Sequence, residues 1–174
     1  MKPGRLLAGG LAVVAIVVGW LLLGSSGGRL AIDLVDQLPT AKQVPGDYDV
    51  ADLELAGQTR RAIQVRDFGR LIWTVTVPDD AWLLVSIGQE PSAWTTEGDG
   101  VMFMVGASDQ IQYDDLLTLV VNPFHNPADQ VWHDLVIDLS HYAGQTIDLI
   151  FNIRSRDTES GDSPAWGAPR IVTR

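Results

Sequence analysis

The three histidines are the residues of this chain that most readily suggest a metal site. His125, His133 and His141 follow one another at intervals of eight residues. They form no His-x-His or His-x-x-x-His pair, which would place two ring nitrogens about 2.0–2.1 Å from one zinc ion. His133 falls on the apolar side of an alternating segment, which is typical of a histidine in the core or at a sheet edge. The spacing therefore argues against a transition-metal site.

Sequence signatures of catalysis are few. We find no His-Glu-x-x-His motif, P-loop or dinucleotide-binding fingerprint. There is no cysteine, which excludes disulfides, thiol catalysis and cysteine zinc sites. A pair of carboxylates could flank a glycosidic bond in any chain with 22 acidic residues, so their number alone carries little information. We therefore predict a protein that is not an enzyme.

Acidic residues recur in the segments that glycine and proline mark as loops. Calcium takes hard oxygen ligands from carboxylates and carbonyls and needs no fixed motif. The sequence therefore allows a structural calcium ion, and the alternative is a set of ordinary solvated turn acids. The candidate calcium ligands are Asp79, Asp80, Asp99, Asp157, Glu159 and Asp162.

Tryptophans are the candidates for ligand binding, because sugars stack their apolar faces on exposed aromatic rings. Trp73 has a core-facing register, and Trp132 starts a strand. Trp94 lies in a predicted loop, and Trp82 follows the Asp79-Asp80 turn. Trp166 precedes Gly-x-Pro, a context that also suits a packing role. The candidate ligand-binding residues are Trp94, Trp82, Trp166 and Arg170.

Strands with one core face and one solvent face must position these residues. Val131–Leu139 and Ile147–Arg154 place apolar residues at odd positions and mostly polar residues at even positions. This period of two predicts half-buried β-strands. Further short strands separated by turn signals bring the number to eight or nine. We find no amphipathic helix of useful length, so an all-β, two-sheet antiparallel sandwich of the jelly-roll type is predicted.

Charge limits the class of partner. The net charge is −10, and it becomes −12 for residues 29–174, because residues 1–28 contain Lys2 and Arg5 and no acid. Nucleic acid and anionic lipid headgroups would repel such a chain. We therefore predict that nucleic acid is not a partner.

The N-terminus reads as a membrane anchor or a secretory signal. Leu6–Leu23 is an apolar stretch of 18 residues that follows two cations. As a helix it would measure about 27 Å, close to the thickness of a bilayer core. It would leave the C-terminal part outside the cytoplasm. We expect an uncleaved single-pass transmembrane helix within residues 1–28, with cleavage near Ser26 as the alternative, and a folded domain at 29–174.

The C-terminal part resembles galactose-binding-like jelly-roll domains, which include many carbohydrate-binding modules of bacterial extracytoplasmic proteins. The resemblance is carried by Trp132, by Asp138-Leu139-Ser140-x-Tyr142-Ala143-Gly144-Gln145 and by Trp166-Gly167-x-Pro169-Arg170-Ile171. Val77-Pro78-x-Asp80-Ala81 and Trp94…Gly98-Asp99-Gly100-Val101-x-Phe103 resemble the middle of the same pattern. The resemblance spans about residues 60–172, and it also implies a structural calcium.

These observations predict a non-catalytic extracytoplasmic domain that binds a glycan or another component of the cell envelope. The alternative is a structural or protein-interaction domain that supports a membrane assembly and binds no sugar.

Overall fold

Eleven strands and one helical turn account for most of the residues described by the computed structural model, which are 28–44, 48–65, 68–156 and 161–174. The helical turn is α1 (Ser92–Thr95). The strands are β1 (Arg29–Asp33), β2 (Lys42–Val44), β3 (Tyr48–Leu55), β4 (Gln58–Val65), β5 (Gly69–Thr76), β6 (Ala81–Gln89), β7 (Val101–Ser108), β8 (Tyr113–Val121), β9 (His133–Asp138), β10 (Thr146–Ser155) and β11 (Pro164–Thr173).

The strands form two antiparallel sheets. The six-stranded sheet has the order β3-β4-β11-β6-β9, with β1 also paired to β11. The five-stranded sheet has the order β2-β5-β10-β7-β8. Along one edge of β11, the first half pairs with β4 and the second half pairs with β1. A bulge between Gly167 and Arg170 separates the two halves, and Ala168 there has a φ of 43°.

The core lies between the sheets and is centred on aromatic side chains. Trp166 is 1% exposed and packs on Phe103 and Phe151, with ring centroids 5.1 and 4.6 Å away. Trp73 meets Phe151 edge to face at 5.2 Å. Aromatic pairs at these separations contribute beyond their buried area. The alternating residues predicted to face inward, such as Leu149 and Ile153, are buried as expected.

A second, smaller apolar cluster lies on the outer side of the six-stranded sheet. Trp132 covers Ala62 and Ala165 together with Leu53 and Leu55. Gly167 makes this close packing possible, because an added Cβ there would lie 2.9 Å from the Trp132 ring.

The structure confirms the predicted all-β sandwich and extends the number of strands. The additional strands are mainly the short β1 and β2 near the N-terminus. The acidic and polar residues of Asp109–Asp115 predict a short connection between strands, whereas β8 already begins at Tyr113. The predicted transmembrane helix, Leu6–Leu23, lies outside the described residues. Within the described part of the chain, no helix is long and apolar enough to cross a membrane.

Candidate functional site

The outer face of the five-stranded sheet carries the strongest candidate site. On β10 the residues between the core positions are Asp148, Ile150, Asn152 and Arg154, and their partners on β7 run from Ser108 to Met102. Because side chains alternate across a strand, these residues lie on the side away from the core. Ile150 and Asn152 are each only 9% exposed, so neighbouring side chains cover the centre of this face.

Tyr113 crosses this face from the edge strand β8. An alanine Cβ at Gly106 would lie 2.5 Å from Cε2 and Cζ of Tyr113. The tyrosine ring therefore lies across the backbone of β7, where only glycine leaves it room. Tyr113 is nevertheless 47% exposed, so part of the ring remains open to solvent above the sheet.

Hydrogen-bonding side chains surround this ring. Arg70 donates from Nε to Oδ1 of Asn152 at 2.6 Å. Thr74 donates to Oδ1 of Asp148 at 2.7 Å. Burial raises the pKa of the Tyr113 hydroxyl above its usual range, and a hydrogen bond to Asp115 raises it further. An exposed aromatic ring beside such groups can stack on a sugar while the polar side chains bind its hydroxyls.

Trp166 lies in the core rather than on a surface. Its 1% exposure and its contacts with Phe103 and Phe151 leave no ring face for a ligand. Of the two roles considered for this residue, the structure supports packing.

Trp94 lies in α1 and is partly buried. Its Nε1 donates to the carbonyl of Gln89 at 3.0 Å. The ring packs against the outer apolar cluster around Trp132. The Trp94 indole therefore fixes its loop to the six-stranded sheet.

Trp82 and Arg170 lie on the outer face of the six-stranded sheet. Arg174 stacks over the Trp82 ring at 4.9 Å, and Arg170 donates from Nη1 to the carbonyl of Ala168 at 3.0 Å. Trp82 is the second residue of β6, whereas Trp94 follows the end of the same strand. The structure therefore does not bring the four predicted ligand-binding residues together into one site.

The predicted calcium ligands are divided between two ends of the sandwich. Asp79 and Asp80 form the turn before β6, whereas Asp99 and Asp162 lie at the other end of that strand, before β7 and β11. Asp157 and Glu159 lie outside the described residues. Among the described residues, no three His, Cys, Asp or Glu side chains are grouped so that they could hold a metal ion. Calcium binding stays a prediction.

His133 lies on the edge strand β9, which is one of the two settings, core or sheet edge, that its register predicted. It pairs with Ile87 across β6 and β9, and its Nε2 lies 3.2 Å from Oδ1 of Asp129. Asp129 belongs to the connection before β9, so this contact links His133 to the chain that leads into its own strand.

Comparison of whole folds identifies the architecture. A CBM51 module from Clostridium perfringens GH95, solved in complex with methyl-galactose, superimposes with a TM-score of 0.55 over 82% of this chain and 99% of that one, at 12% identity. The two-sheet sandwich of this chain is thus similar in fold to that module. A CBM61 module in complex with β-1,4-galactotriose gives a TM-score of 0.51 over 79% and 90% of the two chains, at 12% identity. A xylan-binding CBM22 module gives 0.52 over 85% and 96%, at 11% identity.

Sequence comparison adds one relative without a described role. An uncharacterised protein of Archaeoglobus fulgidus is 35% identical over 100 residues, which are 56% of this chain. The match spans about a quarter of that longer protein, 25%. No family model matches the chain.

Proposed function

We propose that the folded part of this chain is a non-catalytic module that binds a glycan on the outer face of the five-stranded sheet. The observation that carries the proposal is the partly exposed Tyr113 ring held across Gly106. The likeness in fold to modules solved with galactosides supports a sugar as the ligand.

The arrangement suits a sugar because it combines an apolar surface with fixed polar groups. The Tyr113 ring offers a face for the C–H side of a pyranose. Arg70 is held by its hydrogen bond to the buried Asn152, so little side-chain entropy is lost when it binds a hydroxyl. The sheet beneath them keeps their spacing rigid.

A glycan array probed with the full chain tests this function. We expect selective binding that falls about tenfold or more in Tyr113→Ala, as for an aromatic anchor at the centre of an interface. Phe124→Ala is the matched control, because Phe124 is a 37% exposed aromatic residue in the loop that follows β8. A blank array, or hits that survive in Tyr113→Ala, would contradict the proposal.

A protein-interaction role is the alternative, and the edge strand β8 favours it. Leu119 and Val120 are 36% and 39% exposed on this edge. An exposed apolar edge strand can pair with a strand from another protein. A protein partner lost in Leu119→Lys and retained in Tyr113→Ala, together with a blank array, would favour this role.

We also propose that the domain lies outside the cytoplasmic membrane, either tethered or exported. Support comes from the apolar segment Leu6–Leu23 and the two cations before it, because cations stay on the cytoplasmic side of a membrane helix. Protease added to intact spheroplasts should then digest the folded domain, and mass spectrometry of the mature N-terminus distinguishes a retained anchor from cleavage near Ser26. A domain that is protected until the cells are lysed would contradict this location.

A further inference from the structure

The outer face of the five-stranded sheet has a charge unlike that of the chain as a whole. Among the described residues on this face, Lys42, Arg70 and Arg154 are cationic, and Asp115 and Asp148 are anionic. Three cations and two carboxylates give +1, against −10 for the whole chain. A surface of locally opposite sign attracts ligands that the rest of the molecule would repel.

Among the described residues, the anionic groups of this face have hydrogen-bond partners, whereas most N–H donors of the cationic groups have none. Asp148 accepts a hydrogen bond from Thr74, and Asp115 interacts with the Tyr113 hydroxyl. Arg70 has five N–H donors, and its hydrogen bond to a described residue occupies the one on Nε. The cations are therefore the groups of this face best able to take a new partner.

The register fixes the spacing between the aromatic ring and the guanidinium. Arg70 is held at Asn152, whose direct partner on β7 is Met104. Gly106, under Tyr113, is two residues further along β7 and is therefore the diagonal neighbour of Asn152. Diagonal neighbours in an antiparallel pair are about 7–8 Å apart. A pyranose ring together with its exocyclic carboxyl group has a similar length.

We infer that this site takes an acidic glycan made of uronic acids, with a sugar ring on Tyr113 and its carboxylate on Arg70. The inference rests on the proposed function and names its ligand class. A guanidinium suits this role because its planar fork can bind a carboxylate through two parallel hydrogen bonds. Lys42 and Arg154 flank Arg70 on the neighbouring strands and attract the carboxylates of adjacent sugar units.

The overall acidity of the chain does not oppose this ligand at physiological salt. Exposed charges further away than about 8 Å are largely screened at that ionic strength. The local cations therefore decide the sign of the potential that a bound sugar experiences. Higher salt should also weaken the attraction between the carboxylate and Arg70.

Calorimetric titration of the full chain with matched sugars tests the inference. The probes are oligomers of galacturonic, glucuronic and mannuronic acid, each beside its carboxyl-reduced neutral counterpart. We expect at least one acid to bind about tenfold or more tightly than its neutral counterpart, as for a charge-assisted contact. Arg70→Gln should remove this preference, whereas Arg61→Gln, an exposed arginine paired with Asp36, should leave it unchanged.

The outcomes separate the two proposals. Binding of neutral sugars that needs Tyr113, without any preference for an acid, overturns the acidic ligand and leaves glycan binding intact. An acid preference that persists in Arg70→Gln also overturns the inference. Failure of every probe in this titration, together with a blank glycan array, overturns both.

Discussion

Replacing Gly106 with alanine should displace the Tyr113 ring without unfolding the domain. The new Cβ would meet Cε2 and Cζ of Tyr113 at 2.5 Å, which is closer than nonbonded carbon atoms come. Gly106 has no positive φ, so alanine fits its backbone. The group that must move is the end of a side chain that is 47% exposed.

The expected change in stability is small because two effects oppose each other. Full burial of a large side chain is worth about 1.5–3 kcal/mol, and Tyr113 is roughly half buried, so releasing its ring costs about 1 kcal/mol. Replacing glycine in a compatible conformation gains about 0.4–1 kcal/mol through the unfolded state. The free energy of unfolding should therefore stay within about 1 kcal/mol of the wild type.

Urea unfolding and spectrophotometric titration of the tyrosines measure the two consequences. The chain has three tyrosines. In Gly106→Ala, the pKa of Tyr113 should fall towards the usual 10, because burial and the hydrogen bond to Asp115 no longer raise it. Tyr113→Phe assigns the transition. A decrease of more than about 3 kcal/mol in the free energy of unfolding would show that the backbone moves instead of the ring. An unchanged Tyr113 titration would show that the ring stays in place.

Three further predictions concern the rest of the sandwich. Trp166→Ala should lower the free energy of unfolding by about 3–5 kcal/mol, far more than Trp82→Ala, and equal losses in urea unfolding would contradict the assigned core. Burial raises the pKa of Asp134, but hydrogen bonds from Arg60 and Ser86 outweigh it and lower the pKa overall. The ionised Asp134 carboxylate therefore stabilises the fold above its unfolded pKa of about 3.9, and this stabilisation is lost as the pH falls through the folded pKa. Asp134→Asn should lower the free energy of unfolding by about 1–3 kcal/mol at pH 7 and by much less near pH 2. Urea unfolding at both pH values measures the difference. Finally, if the loops hold a structural calcium, a chelator should lower the melting temperature of the full chain and added calcium should restore it. An unchanged melting curve would contradict calcium binding.

The sequence predicts the core strands well because their signal is local. Alternation in β5, β9 and β10 specifies strands without knowledge of their partners. The placement of Trp73 in the core follows from the same alternation and is confirmed by its 2% exposure. The order of strands within each sheet depends on contacts between distant segments, and no local pattern encodes it.

The candidate site was harder to find from sequence. Tyr113 lies in a segment whose acids and polar residues suggested a connection, yet it opens β8 opposite Ser108. A usable signal was Gly106, an isolated glycine inside an alternating strand, which often marks a close approach by another group. Of the three tryptophans predicted to bind a ligand, Trp166 packs in the core between the sheets and Trp94 packs on the outer apolar cluster.

The position of β11 within the six-stranded sheet bears on how the protein is made. This strand follows the ten others in chain order, yet it contacts β6 along nearly its whole length and joins both β4 and β1. A nascent chain stopped before Pro164 would have the other strands but lack the one that joins them. Ribosome-bound intermediates should therefore expose sheet edges until β11 has left the ribosome, a period in which chaperones would protect them from aggregation.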